Sequence, residues 1–121
     1  MIEGIAGVIV WTDDLDKLKR FYKDVMRFPV HSERPYFVAF EWGAMRFSIG
    51  LHDRVHGWAA EPERMMVNLA VSDIDAEYER LMAEGVRFSR PPEQEHWGGW
   101  VATLQDPDGN TLQLLQQPEQ Q

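Results

Sequence analysis

Apolar and polar positions along the chain follow two periods, and each change of period marks a change of element. Ile5 to Trp11 is a short apolar run rich in β-branched residues, too short for a stable helix, which predicts a buried strand. Thr12-Asp13-Asp14 then offers side-chain oxygens to unpaired helix N–H groups, and its acids suit the positive end of a helix dipole. Leu15, Leu18, Phe21, Tyr22, Val25 and Met26 follow at spacings of three and four, the apolar face of one amphipathic helix. Lys17, Lys19, Arg20, Lys23 and Asp24 fill its other face, and Pro29 ends it. Three strands are expected next, at Phe28 to Ser32, Tyr36 to Trp42 and Met45 to Leu51, with Gly43-Ala44 as a hairpin signal between the last two. From about 52 to 64 the chain has no period and reads as a linker.

The second half repeats the first. Val67 to Val71 reads as a strand, Ser72-Asp73 as a cap, and Ile74, Tyr78, Leu81 and Met82 as a helical stripe closed by Gly85. Short strands follow at Val86 to Ser89, Trp100 to Leu104 and Thr111 to Leu115, the last two joined by Asp106-Pro107-Asp108-Gly109-Asn110. Asp73-Ile74-Asp75 stands over Asp14-Leu15-Asp16 at an offset of 59 residues. The units run from about 1 to 55 and from about 63 to 117, and the Gln-rich tail Gln116 to Gln121 is expected to fray. A duplicated unit this small cannot bury its sheet alone, so two copies should pair.

Composition narrows the function. Lys and Arg number 12 against 20 Asp and Glu, a net charge of −8, which lacks the electrostatic footprint of a nucleic-acid binder and suits cationic or neutral small ligands. A hydrophobic share of 44% supports a packed core. Without cysteine there is no disulfide scaffold, thiolate zinc site or cysteine nucleophile. The start has no basic targeting segment, and no apolar stretch approaches the ~18 residues of a membrane span, so a soluble cytoplasmic protein without a membrane partner is expected.

The doubled βαβββ pattern resembles the vicinal oxygen chelate superfamily, which holds glyoxalase I, extradiol dioxygenases and bleomycin-resistance proteins. The marks are Asp14-Leu15-Asp16 with Phe21-Tyr22, Asp73-Ile74-Asp75 with Tyr78 and Leu81, Trp97-Gly98, and Asp106 to Asn110. The resemblance implies one α+β domain over residues 1–121, two tandem βαβββ units forming a curved mixed sheet around a cavity, with helices on the convex side. Metal-dependent members place His, Gln or Glu on the concave face, from the first and last strand of each unit. Those positions fall here on Gly7, Ser48, Met66 and Gln113. None supplies an imidazole or a carboxylate to offset the desolvation of a divalent ion, so no metal, cofactor or catalytic residue is assigned.

Other constellations are weaker. Ser48 lies outside a nucleophile elbow, and Gly98-Gly99 does not open a helix as a phosphate loop would. Glu41, Glu93 and Glu95 can act as bases only if desolvated. Of His31, His52, His56 and His96, only His52 and His96, with Glu95 or Asp53, suggest a displaced metal pair. Strand parity turns Gly7, Ile9, Trp11, Met66, Asn68, Ala70, Gln113 and Leu115 to the concave side, an apolar lining with a few neutral hydrogen-bonding groups. Trp97 and Trp100 bracket the loop expected over the opening. The candidate ligand-binding residues are therefore Trp11, Ser48, His52, Asn68, Trp97, Trp100 and Gln113.

The reading is a metal-independent protein of the bleomycin-resistance type that binds or sequesters a planar or cationic organic molecule, as in antibiotic resistance, and works as a homodimer. Its rivals are a glyoxalase-like lyase, isomerase or dioxygenase with a displaced metal, and a protein-interaction module using exposed tryptophans.

Overall fold

In a computed structural model of the chain, which describes residues 1–119, both Asp-x-Asp marks are helix caps. The Asp14 carboxylate accepts from the Lys17 N–H at 3.1 Å, and the Asp73 carboxylate from the Ala76 N–H at 3.1 Å. Each satisfies a donor that the first helical turn leaves unpaired.

The chain divides into two compact units, Met1–Trp58 and Ala59–Gln121, within the segment expected to link the halves. In the first unit, β1 (Gly7–Thr12) leads to α1 (Leu15–Lys19), then to β2 (Val30–Arg34), β3 (Phe37–Trp42) and β4 (Met45–Leu51). The strands form one four-stranded sheet in the order β1-β4-β3-β2, with β1 and β4 parallel and the other pairs antiparallel. The second unit repeats this plan with β5 (Met66–Ala70), α2 (Ile74–Ala83), β6 (Phe88–Gln94), β7 (Trp100–Gln105) and β8 (Thr111–Gln116). Its order is β5-β8-β7-β6, with β5 and β8 parallel. The architecture is the α+β pattern of two βαβββ units, each with its own mixed sheet.

The single helix expected from Leu15 to Met26 is corrected. It is α-helical only to Lys19, and Arg20–Val25 is a π-helix in which the Met26 N–H reaches the Phe21 carbonyl at 2.8 Å. Phe21 and Tyr22 both bury within this wider turn. The Tyr22 ring meets Phe47 at 4.9 Å, and Phe28 packs against Phe40 at 5.7 Å and Phe47 at 5.4 Å. With Leu18, Val38 and Ile49, these rings are the core of the first unit.

The core of the second unit is mainly aliphatic: Ile74 and Leu81 of α2 bury together with Ala102, Leu104, Leu112 and Leu114 of the sheet. Gly85, at φ +90°, takes the left-handed position that stops α2. Among the described residues no helix is long and apolar enough to cross a membrane.

Candidate functional site

Each sheet buries one face under its helix and presents the other. On the first sheet, register puts Gly7, Arg46 and Glu41 in one row, Ile9, Ser48 and Ala39 in the next, and Trp11, Gly50 and Phe37 in a third. All share the face opposite buried Phe47 and Ile49. The Trp11 indole lies across Gly50, where a Cβ would come within 2.7 Å of both the Trp11 and the Phe37 ring. Phe37 stands 5.9 Å from Trp11, and His52, just past β4, meets it edge-on at 5.4 Å. Trp11 remains 39% exposed, so two rings cover the glycine and the indole, with His52 against it, stays open to solvent.

A charged cluster occupies the Gly7 row. His31 Nδ1 stands 2.9 Å from a Glu41 oxygen, and the Arg46 guanidinium lies 3.2 Å from that oxygen and 3.3 Å from His31 Nε2. Gly7 is fixed by crowding: a Cβ there would run into the Arg46 carbonyl oxygen.

On the second sheet the corresponding rows are Met66, Thr111 and Gln105; Asn68, Gln113 and Thr103; and Ala70, Leu115 and Val101. Gln113 Nε2 donates to Asn68 Oδ1 at 3.0 Å. Arg90, opposite Thr103, is pinned by Glu93 at 2.7 Å and Glu95 at 3.0 Å. These two carboxylates raise the guanidinium pKa further above its already high value, so Arg90 stays charged. At the tip of the β6–β7 hairpin the Glu95 N–H donates to the Gly99 carbonyl at 2.8 Å. The Trp97 ring folds back onto Gly99 so closely that any side chain there would displace it. Next to β8, the Asp106 carboxylate accepts from the N–H groups of Asp108 and Asn110, both at 2.9 Å, and Gly109 takes φ +84°. That turn is scaffold.

The structure brings Trp11 and His52 together on the first unit and Asn68 and Gln113 on the second. Ser48 shares the Trp11 face but is buried between Ile9 and Ala39. Trp100 is placed differently from expectation: it begins β7 in phase with Ala102 and Leu104, so it stands half-buried on the helix-packed side. His52 Nδ1 accepts from the Arg54 N–H at 3.1 Å with the exposed Asp53 carboxylate 3.5 Å away, and Glu95 is engaged by Arg90.

The donor set does not fit the divalent ion that the fold's metal-dependent relatives hold. Gly7 has no side chain or room for one, Met66 offers a thioether, Ser48 a buried hydroxyl and Gln113 an amide bound to Asn68. The His31–Glu41–Arg46 cluster was missed from the sequence. The pairing of Glu41 with Arg46 follows from the Gly43-Ala44 hairpin, whereas His31 joins them at a break of register in β2.

The family model of the Glyoxalase/Bleomycin resistance protein/Dioxygenase superfamily matches residues 4–114, and the chain belongs to that superfamily. It is 27% identical over 120 residues to the uncharacterized protein YetH of Bacillus subtilis (strain 168), covering 94% of this chain and 98% of that protein. A glyoxalase/bleomycin resistance protein/dioxygenase from Nocardioides superposes with a TM-score of 0.76 at 26% identity, over 100% of this chain and 87% of that one. A lactoylglutathione lyase from Agrobacterium tumefaciens superposes with a TM-score of 0.75 at 19% identity, over 95% and 94%, a likeness of fold alone.

Proposed function

We propose that this protein binds small organic molecules without a metal, on the exposed faces of its sheets. The observation behind this reading is the make-up of those faces. Rings and aliphatic side chains surround neutral hydrogen-bonding groups, and the four positions where metal-dependent relatives carry ligands hold neither imidazole nor carboxylate. Trp11, backed by Phe37 and His52, is a stacking platform for a planar body, and the net charge of −8 favours a cationic one. Trp97 over Gly99 is a second exposed ring of the same kind. A homodimer belongs to the same proposal, because pairing two copies would take exposed apolar side chains such as Trp42 and Met45 out of water.

The test is quenching of tryptophan emission by proflavine, a planar aromatic cation, in protein stripped of metal with EDTA. Saturable quenching is expected, unchanged by added zinc, nickel, manganese or iron, and weakened about 5-fold or more in Trp11→Ala. Binding or turnover that appears only when one of those ions is restored overturns the reading.

A further inference from the structure

We infer that the Asn68–Gln113 pair recognises a cis-amide, the N–H beside C=O of a lactam, on an otherwise apolar molecule; this rests on the ligand-binding reading above and names its ligand class. Asn68 and Gln113 lie directly opposite each other on the parallel strands β5 and β8 and share one hydrogen bond, 3.0 Å from Gln113 Nε2 to Asn68 Oδ1. A primary amide carries two N–H donors and a carbonyl acceptor. One shared bond therefore leaves the Asn68 NH2, the second Gln113 N–H and the Gln113 carbonyl for a ligand on this exposed face. Turning both amides over exchanges the roles of the two residues and again leaves one NH2 and one carbonyl unused by the shared bond.

That edge selects its partner. A lactam accepts from Asn68 through its carbonyl and donates to Gln113 through its N–H, without breaking the bond between the two side chains. A carboxylate brings only acceptors and leaves the Gln113 carbonyl without a donor on binding. An N-alkylated lactam loses its donor and brings a methyl group against the same oxygen, leaving a polar atom without a partner on binding.

The neighbours define the rest of the ligand. Met66 and Ala70 flank Asn68 on the same face of β5, with Leu115 beside Ala70, so an apolar ring system lies against thioether and aliphatic surface. The next cation along the row, Arg90, is matched by Glu93 and Glu95 and gives an anionic ligand no net attraction.

Three probes with nearly the same bicyclic body separate the possibilities: carbostyril, a fused lactam; its N-methyl derivative; and quinaldate, the related carboxylate. Titration is followed by the side-chain amide signals of Asn68 and Gln113 in nitrogen-15 NMR spectra. Carbostyril should shift both signals and bind about 10-fold more tightly than N-methylcarbostyril, with quinaldate weakest. Asn68→Leu and Gln113→Leu, exposed or half-exposed strand positions that accept leucine, should each abolish that discrimination and retain weak apolar binding. Equal binding of the three probes, or discrimination that survives both substitutions, overturns the amide assignment and leaves the general binding reading standing. Failure of all three to bind, together with failure of proflavine, overturns both.

Discussion

The two halves share strand order, parallel and antiparallel pairings and a capping aspartate at the same point, yet they present different chemistry. The first sheet shows the Trp11 indole over Gly50 with Phe37 and His52 against it, beside the Glu41–Arg46 ion pair and His31. The second shows an amide pair framed by Met66, Ala70 and Leu115. Positions that correspond in the fold, Gly7 with Met66 and Ser48 with Gln113, have opposite surroundings: one of each pair is crowded or buried and the other reaches solvent. The repeated backbone thus decides which positions face outward, whereas local packing decides which of them can carry a working side chain. In this chain the Gln113 amide and the Met66 thioether reach the open face of the second sheet, whereas Ser48 is buried and Gly7 has no room for a side chain.

The cores differ in the same way, and the largest expected effect follows from that. Phe40 is fully buried against Phe28 and Phe47, whereas Leu112 is fully buried among aliphatic neighbours. Truncating an interlocked ring removes more area and leaves a cavity that rigid neighbours fill poorly. Phe40→Ala should destabilise by about 3–5 kcal/mol, against about 2–4 kcal/mol for Leu112→Ala. Urea unfolding followed by far-ultraviolet circular dichroism measures both. A Phe40→Ala loss no larger than that of Leu112→Ala would show that the aromatic core is no stiffer than the aliphatic one.

The repeat itself was legible in the sequence, because caps and apolar periods depend on neighbours a few residues apart. Asp14 and Asp73 announce both helices, and Met45 to Leu51 reads as a strand from its alternation alone. Features that depend on pairing between strands were not legible. The strand expected to stop at Ser89 runs on through Pro91 and Pro92 to Gln94, because a shift of register between Arg90 and Glu93 leaves the prolines outside the regular ladder. The π-helix was hidden because its apolar residues also fit the α period. Asn68 and Gln113 were chosen by parity alone, and their mutual hydrogen bond needed the parallel register of β5 and β8 to appear. Trp100 was assigned to the open side by its place beside two glycines, whereas its phase in β7 puts it on the other.

Equivalent substitutions at Gly7 and Met66 probe the difference between the faces directly. Gly7→His places a side chain against the Arg46 carbonyl, so β1 must shift from β4 over a run of paired residues. A cost of about 1–3 kcal/mol is expected. Met66→His replaces one half-exposed side chain by another on an edge strand and should stay within about 0.5 kcal/mol of the parent. Thermal unfolding of the two variants side by side is the measurement. If Gly7→His is as stable as Met66→His, crowding does not explain the missing side chain on the first sheet.

The smallest effect concerns charge, and here the units differ in their response to pH. In the first unit Glu33 of β2 reaches Lys23 and Lys19, both at 3.1 Å. The hydrogen bond from Lys23, joined by that from Lys19, holds the Glu33 carboxyl below the usual glutamate range. A carboxyl depressed on folding binds its proton more tightly in the unfolded chain, so its contribution is complete above the unfolded value of about 4.3 and disappears as pH falls through the lower folded value. In the second unit the charge at the matching strand is Arg90, whose pKa is raised, so its contribution persists through neutrality and fades only in strong alkali. Glu33→Gln should therefore lower stability slightly at about pH 7 and make no difference at about pH 3, whereas the deficit from Arg90→Leu should not vanish through titration of Arg90 itself anywhere between. Because these groups are solvated, added salt should shrink both differences. Stability curves of the parent and the two variants across that range decide the matter: a Glu33→Gln deficit that persists undiminished in acid would mean that this strand is held to its helix by packing and not by the lysines.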